Sequence, residues 1–156
     1  IMKTNFKIKL TQEVLKTSES FVVTSPISDS TPNEHMGIEQ ITLNEYNTQI
    51  NFVYISPKDY KNGGWIQMDA DCFIRPVGSE IRYKMIQAIN IPIAPNKYHF
   101  KRSGQVLRFS LLFPALSKEV KAIDFIEKHA EGTYFNFFNI ALQHNEPTLI
   151  RIVNEN

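Results

Sequence analysis

Two carboxylates close to the end of the stretch FSLLFPALSKEVKAIDFIE, residues 109–127, are of the type that serves as general acid and base. Asp124 and Glu127 follow a long apolar run that one proline interrupts. Acid–base catalysis needs two such groups that converge on one space, where a pocket raises the pKa of one of them. Residues three apart lie on opposite faces of a strand but share a face of a helix. Residues 117–130 fit either element; we favour a turn followed by a strand, with both carboxylates outward or paired with a neighbouring lysine or backbone amide.

A second acidic pair, Asp69 and Asp71, provides oxygen ligands at alternate positions, as the start of a calcium site does. The glycine and the downstream carboxylate of an EF-hand loop are absent. Turn formation explains both residues equally well, because aspartate is common in turns. A hydrolase would need these two carboxylates to share a cleft with Asp124 or Glu127, and we do not expect that arrangement.

Metal ligands and nucleophiles are also not indicated. The four histidines, His35, His99, His129 and His144, stand far apart, and none has a partner at ligand spacing. Cys72 is the single cysteine, and free cysteine is among the most buried residue types, so we predict a core residue. No serine lies in a GxSxG motif and no glycine-rich phosphate loop is present. The sequence therefore predicts no catalytic residue, no metal and no cofactor.

The aromatic residues Tyr60 and Trp65 flank the turn-forming pair Gly63 and Gly64. Aromatic side chains presented by the loops of β-sandwiches supply contact area to glycans and peptides. Trp65 begins an apolar alternation, which favours a core position between sheets, so Tyr60 is the better candidate for exposure. These two residues are the candidate ligand-binding residues.

A basic cluster follows later in the chain. It is formed by Lys97, His99, Lys101 and Arg102, with Tyr98 and Phe100 between them. Single-stranded nucleic acids bind to such mixtures, but the chain as a whole has a net charge of only +1, spread evenly. We therefore predict a solvated hairpin tip and no nucleic-acid partner.

Short strands must position all these residues. Alternating apolar residues predict strands or hairpins at 6–10, 21–23, 38–56, 65–68, 73–89 with a turn at Gly78 and Ser79, 106–113, 134–142 and 149–153. In the hairpin at 73–89, the strand after the turn would carry Ile81, Tyr83 and Met85 on one face. Pro76, in the strand before the turn, favours an edge position for that strand. About seven to nine such strands without a long helical pattern predict an all-β, antiparallel β-sandwich.

The length of 156 residues fits one domain. The polar segment 24–35 reads as a long loop or linker, so residues 1–35 form either an arm or a linker, and 37–153 the compact body. One cysteine rules out an internal disulfide. No apolar run has the length of a membrane helix, which predicts no membrane span.

Several of these residues together resemble a poorly characterised β-sandwich domain of Bacteroidota proteins. The resemblance covers roughly 37–142 and rests on Trp65 and Ile66, FIRPVG ending at Gly78, Tyr83, FSLLFPAL at 109–116, IDFIE at 123–127 and FNFFNI at 135–140. It departs from the pattern at Asn139, where glycine is expected. The resemblance implies an immunoglobulin-like sandwich in which Phe109, Leu111, Phe113, Ile123, Phe125, Phe138 and Ile140 fill the core.

In such proteins the domain lies beside thioredoxin-like or trypsin-like peptidase domains, and no catalytic residue is assigned to it. The resemblance thus implies a non-enzymatic accessory module of a larger or envelope-associated bacterial protein, outside the cytoplasm. Its partner would be a protein or a flanking domain, bound by strand pairing at a free sheet edge. The alternative is glycan or small-ligand binding through the loop from Tyr60 to Trp65.

Overall fold

A computed structural model describes residues 18–28, 34–130, 132–142 and 148–152. In these residues the chain is all-β, with antiparallel sheets and one short 3-10 turn at Lys61–Gly63. The strands are β1 (Ser18–Thr24), β2 (Met36–Leu43), β3 (Asn47–Ile55), β4 (Trp65–Ile66), β5 (Phe73–Pro76), β6 (Tyr83–Lys84), β7 (Gln87–Ile89), β8 (Tyr98–His99), β9 (Val106–Pro114), β10 (Ala122–Ile126), β11 (Asn136–Ala141) and β12 (Thr148–Ile152). No helix in this part of the chain has the length and apolar character needed to cross a membrane.

The larger sheet has six strands in the order β12-β1-β2-β3-β9-β7. Its longest antiparallel pair is β3 and β9, in which Phe52 lies opposite Phe109 and Ile50 opposite Leu111. Every second residue of β3 and of β9 is buried, the period that a strand with one core-facing side requires. β1 belongs to this sheet and Val23 lies in the core, so the packed body includes residues before 37.

A second sheet has four strands in the order β11-β10-β5-β6, and β4 pairs with β8 in a separate two-stranded sheet. Aromatic side chains join the two larger sheets. The ring of Phe52 on β3 lies 5.1 Å from that of Phe125 on β10 and 6.1 Å from that of Phe137 on β11. The ring of Phe113 lies 6.1 Å from that of Phe125. The inner faces of the sheets therefore share one sandwich-like core.

Most of the predicted elements are confirmed. The hairpin at 38–56 corresponds to β2 and β3, the strand at 106–113 to β9, and the aligned residues Phe109, Leu111 and Phe113 are buried. Residues 117–130 form a turn followed by strand β10, as favoured. Twelve strands are present in the described residues, where seven to nine were expected; four of them, β4, β6, β7 and β8, have only two or three residues. The predicted strand at 6–10 and residues 29–33 of the loop predicted at 24–35 lie outside the described residues.

The second predicted hairpin is only half correct. β5 pairs with β6, but β7 pairs with β9 of the other sheet. The chain crosses from one sheet to the other between Met85 and Ile86. The amide of Met85 donates to the carbonyl of Cys72, and the amide of Ile86 donates to the carbonyl of Leu112. Ile81 lies before β6, which begins only at Tyr83, and it is exposed instead of sharing a buried face with Tyr83 and Met85.

The expectation that Pro76 marks an edge strand is wrong, because β5 lies between β10 and β6. Proline is tolerated at this inner position for a local reason. β6 is only two residues long and pairs with Phe73 and Ile74, so no strand lies opposite Pro76 on that side. On its other side Pro76 is the register partner of Ile123.

The departure from the glycine pattern at Asn139 has a structural explanation. Asn139 has a φ of +51°, in the left-handed region that glycine and asparagine tolerate best. The register between β10 and β11 shifts at the same point, between Ile123 and Phe125. This bulge turns Phe137 and Ile140 inward although they are three apart, and it leaves Phe138 exposed. The prediction that Phe138 belongs to the core is therefore wrong.

Substitution of Phe52 tests the role of the aromatic core. Phe52→Ala should lower the free energy of unfolding by about 3 to 5 kcal/mol, because it removes a fully buried ring that contacts both sheets. Urea denaturation measures this loss. Phe138→Ala is the matched control in an exposed position and should cost much less; equal losses would contradict the assignment of Phe52 to the shared core.

Candidate functional site

Among the described residues, Glu127 is the most deeply buried carboxylate, with 5% of its surface exposed. Its Oε1 accepts a hydrogen bond of 2.9 Å from the amide of Phe135, and its Oε2 accepts one of 3.0 Å from the amide of Asp69. One side chain thus ties the end of β10 to the entry of β11 and to the loop after β4. The expected pairing with backbone amides is confirmed, whereas outward projection is wrong.

Burial raises the pKa of Glu127 above the ordinary value of 4.5. The amide hydrogen bonds from Phe135 and Asp69 oppose this effect, and so does Lys128, but they do not cancel it. The negative charge of Asp69 acts in the same direction as burial. A raised pKa in a buried carboxyl is a feature of general acids, but here both oxygens already accept backbone hydrogen bonds.

Asp124 is buried as well, with 8% of its surface exposed, and its partners differ from those of Glu127. Its Oδ2 forms an ion pair of 3.1 Å with Nε of Arg75 on the neighbouring strand. Its Oδ1 accepts a 2.9 Å hydrogen bond from the amide of Asn139, the left-handed residue of the bulge. Asp124 therefore holds the β5, β10 and β11 strands together, and it shares no hydrogen-bond partner with Glu127.

The pair Asp69 and Asp71 forms the turn that the sequence indicates. Oδ1 of Asp69 accepts a 2.8 Å hydrogen bond from the amide of Asp71, and Lys128 approaches its Oδ2 at 3.9 Å. In the described part of the chain, no group of three or more histidine, cysteine, aspartate or glutamate residues is placed to hold a metal ion.

Cys72 is fully buried, and its thiol lies 3.5 Å from the sulfur of Met85, as expected for a core residue. Burial raises the pKa of the thiol, and the carboxylates of Glu127, Asp69 and Asp71 raise it further. The thiolate is the nucleophilic form of cysteine. This environment therefore keeps Cys72 protonated and unreactive.

The candidate binding residues lie where two loops are joined side by side, at 57–65 and 97–104. Trp65 pairs with His99, and the amide of Phe100 donates a 2.9 Å hydrogen bond to the carbonyl of Gly64. Ser56, at the base of the first loop, donates from its hydroxyl to the carbonyl of Arg102 at 2.8 Å. The two loops thus form one surface.

We call this the paired-loop surface. Its exposed side chains are Lys58, Asp59, Tyr60, Lys61, Trp65, Lys97, His99, Lys101 and Arg102. The predicted exposure of the basic cluster is confirmed, and so is that of Tyr60, which is 60% exposed. The prediction that Trp65 lies in the core is wrong, because 47% of its surface is exposed. In the pair β4 and β8 it is Ile66 that faces the core, which places Trp65 on the outer side.

Tyr60 and Trp65 both adjoin Gly64. Tyr60 lies against Gly64, since a Cβ added at that position would come within 3.3 Å of the Cβ of Tyr60. Trp65 is the next residue, and Nζ of Lys97 lies 4.2 Å from the centre of its ring. This distance is that of a cation–π contact. The surface therefore presents two aromatic rings and an ammonium group within a few residues of one another.

Buried aromatic rings support this surface from below. The ring of Tyr54 lies 5.7 Å from that of Phe100 and 5.7 Å from that of Phe135. Tyr98 packs edge-on against Phe100 at 5.1 Å, and its hydroxyl accepts a hydrogen bond from Gln105. Burial raises the pKa of Tyr54, with a smaller contribution from Tyr60. These contacts anchor both loops to the core.

A shallow depression on the outer face of the larger sheet was not predicted. It has a volume of about 270 Å³ and is lined by Glu39, Asn51, Phe52, Ile89, Asn90, Arg108, Phe109 and Ser110. Many of its polar atoms already bond to one another: Arg108 pairs with Glu39 at 2.8 Å, and Asn51 accepts from Ser110 at 2.8 Å. Alternating polar residues on β3 and β9 indicate this face in the sequence, but not its concavity.

Comparison with known proteins adds no relative. No protein-family model, no curated protein and no solved structure matches the chain.

The close approach of the two loops is tested at Gly63. Its φ is +86° and an added Cβ would lie 2.6 Å from the carbonyl oxygen of Arg102. Gly78 is the matched control, because it has a φ of +85° and nothing within 4 Å of an added Cβ. Gly63→Ala should therefore lower the free energy of unfolding by about 1 to 3 kcal/mol more than Gly78→Ala, the range for overpacking. Thermal or urea denaturation measures both; equal losses would show that the loops do not touch as described.

The raised pKa of Glu127 predicts a pH dependence of stability. Between pH 4.5 and the raised pKa, the folded state holds a proton that the unfolded state has released. The stability that this bound proton contributes to the folded state is complete below pH 4.5 and is lost as the pH rises through the raised pKa. Urea denaturation over a pH series should show this fall in the wild type and in the exposed control Glu119→Gln, but not in Glu127→Gln. The same dependence of the free energy of unfolding on pH in all three proteins would refute the assignment of this effect to Glu127.

Proposed function

We propose that the chain is a non-catalytic accessory module with an immunoglobulin-like β-sandwich, which binds a glycan through the paired-loop surface. The observation that carries this proposal is the exposure of Tyr60 and Trp65 on either side of Gly64. Exposed aromatic rings bind sugars through contacts between C–H groups and the ring face. Since Ser56 and the β4 and β8 pair hold the backbone of both loops, the rings are presented on a framework that is already formed.

The non-catalytic part of the proposal rests on how the carboxylates are used. Asp124 and Glu127 are bound to Arg75 and to backbone amides, and they have separate partners. Asp69 closes a turn. A catalytic pair needs two carboxylates that face one accessible space; the use of these carboxylates in ion pairs and backbone hydrogen bonds favours a structural role instead.

A protein partner or a flanking domain of a larger, envelope-associated bacterial protein is the second candidate. Strand pairing has little room at the β6 and β7 edges, which have two and three residues, and the β12 edge of the larger sheet has five. At the β11 edge, the amide of Ala141 donates to the carbonyl of Ile27, and the hydroxyl of Ser28 donates to that of Phe138.

The segment 77–89 favours a contact made by side chains instead. Val77, Ile81, Ile86 and Ile89 are all at least 42% exposed. Amide hydrogen exchange over 77–89 tests this candidate by comparing the chain alone with a longer polypeptide that includes its neighbouring domain. Slower exchange in the longer polypeptide is expected, and identical exchange would exclude this segment as the contact.

Glycan binding is tested with an array of oligosaccharides, followed by titration of the ligands that bind. Trp65 is the single tryptophan, so its fluorescence reports directly on this surface. Tyr60→Ala and Trp65→Phe or Trp65→Ala should each weaken binding, by about fivefold for the alanine variants if one ring contact is worth about 1 kcal/mol. Isothermal calorimetry replaces fluorescence for the Trp65 variants.

Tyr46→Ala is the matched control for Tyr60→Ala. Tyr46 is 67% exposed but lies in the turn between β2 and β3, at the other end of β3 from Ser56. Its variant should bind like the wild type. Binding that survives the loss of both Tyr60 and Trp65 would rule out this surface as the glycan site.

A further inference from the structure

The paired-loop surface carries a local charge that the whole chain lacks. Its basic residues are Lys58, Lys61, Lys97, Lys101 and Arg102, and its one carboxylate is Asp59. This is a net charge of +4 with His99 neutral, in a chain of net charge +1, so the remaining residues sum to −3. The two loops are separated by more than thirty residues in the sequence, and only their pairing in space concentrates the charge.

These cations are not neutralised by neighbouring carboxylates. The ion pairs of the described residues that involve lysine or arginine join Arg75 with Asp124, Arg108 with Glu39 and Lys128 with Asp69. None of the five cations of the paired-loop surface takes part in an ion pair with a described residue. Their positive potential is therefore directed to the solvent, where it attracts anions.

Lys97 is the best placed of the five. Its ammonium lies over the ring of Trp65 at 4.2 Å, so its long side chain is already oriented before a ligand binds. His99 is the register partner of Trp65 and is exposed on the same side of the β4 and β8 pair. An anionic group beside Trp65 would meet both residues. Tyr60 provides the second ring, against which the apolar face of a sugar can pack.

We propose that the ligand of the paired-loop surface is an acidic oligosaccharide, whose sugar units carry carboxylate or sulfate groups. This inference rests on the proposed glycan binding and specifies its chemistry. The sugar ring packs on Tyr60, and its acidic group accepts hydrogen bonds from Lys97 and His99. Lys61, Lys101 and Arg102 attract the acidic groups of neighbouring units.

A compact site fits a short acidic glycan better than single-stranded nucleic acid. Proteins that bind single strands follow the backbone with a positively charged groove over about 4 to 16 nucleotides. Here the cations are confined to two short loops, and the rest of the chain is acidic overall. An oligonucleotide is accordingly the competing ligand that the experiment must include.

The experiment titrates the fluorescence of Trp65 with short oligogalacturonate, with its methyl ester, with a sulfated oligosaccharide and with single-stranded oligothymidylate. The ester is the matched neutral ligand, because it keeps the sugar and removes the charge. We expect oligogalacturonate or the sulfated sugar to bind, with an affinity that falls as salt is added, and the ester to bind at least about tenfold more weakly, since a hydrogen bond to a charged group contributes about 1.5 to 3 kcal/mol. The carboxylated and sulfated probes show which acidic group is preferred.

Lys97→Gln tests the role of the ammonium and should reduce the affinity for the acidic probe by about tenfold, and the affinity for the ester by much less. Lys118→Gln is the matched control, because Lys118 is exposed in the turn after β9, at the end of that strand remote from the paired loops. This variant should bind like the wild type. Circular dichroism and urea denaturation verify that both variants are folded.

The outcomes separate this inference from the proposed function. Equal binding of the acid and the ester would overturn the acidic preference and leave glycan binding in place. Failure of every sugar probe and every array glycan to bind would overturn both. Tighter binding of oligothymidylate than of either acidic sugar would replace the acidic glycan by nucleic acid as the ligand.

Discussion

The contact of Phe52 with aromatic rings on both sides holds this structure together. Phe52 stacks on Phe109 within its own sheet at 5.1 Å and meets Phe125 and Phe137 of the facing sheet. A β-sheet with one apolar face has to bury that face against another layer. Since Phe52 lies near the middle of the central strand β3, its position sets where the two sheets meet.

The same strand leads from the core to the candidate binding surface. Tyr54 follows Phe52 on the inner face and packs against Phe100 and Phe135. Ser56, just beyond the end of β3, is 2% exposed and bonds to the backbone of Arg102, Gly104 and Gln105. Core packing thereby fixes one loop, and backbone hydrogen bonds fix the second loop onto it. The exposed rings and charges are carried on this frame.

The acidic residues illustrate how chemistry-bearing side chains serve the fold. Glu127 lies at the junction of three segments and satisfies amides that would otherwise be buried without partners. Asp124 accepts a hydrogen bond from the amide of Asn139, while Arg75 balances its charge. In both cases the carboxylate stabilises an irregular point of the smaller sheet, where the strand ladder is interrupted.

The sequence by itself determined the strand-rich class, the hairpin of β2 and β3, the buried face of β9 and the exposure of Tyr60 and the basic cluster, because these follow from local alternation and turn chemistry. Three features were decided only by the tertiary structure. The chain crosses between sheets at Met85 and Ile86. The bulge at Asn139 places Phe137 in the core and leaves Phe138 exposed. Trp65 faces outward because Ile66 takes the inner position. Each depends on how a segment pairs with another strand, and the joining of two loops into one basic and aromatic surface depends on strands that are distant in the sequence. Local periodicity states which residues alternate, but only the packing of distant segments selects the side that is buried.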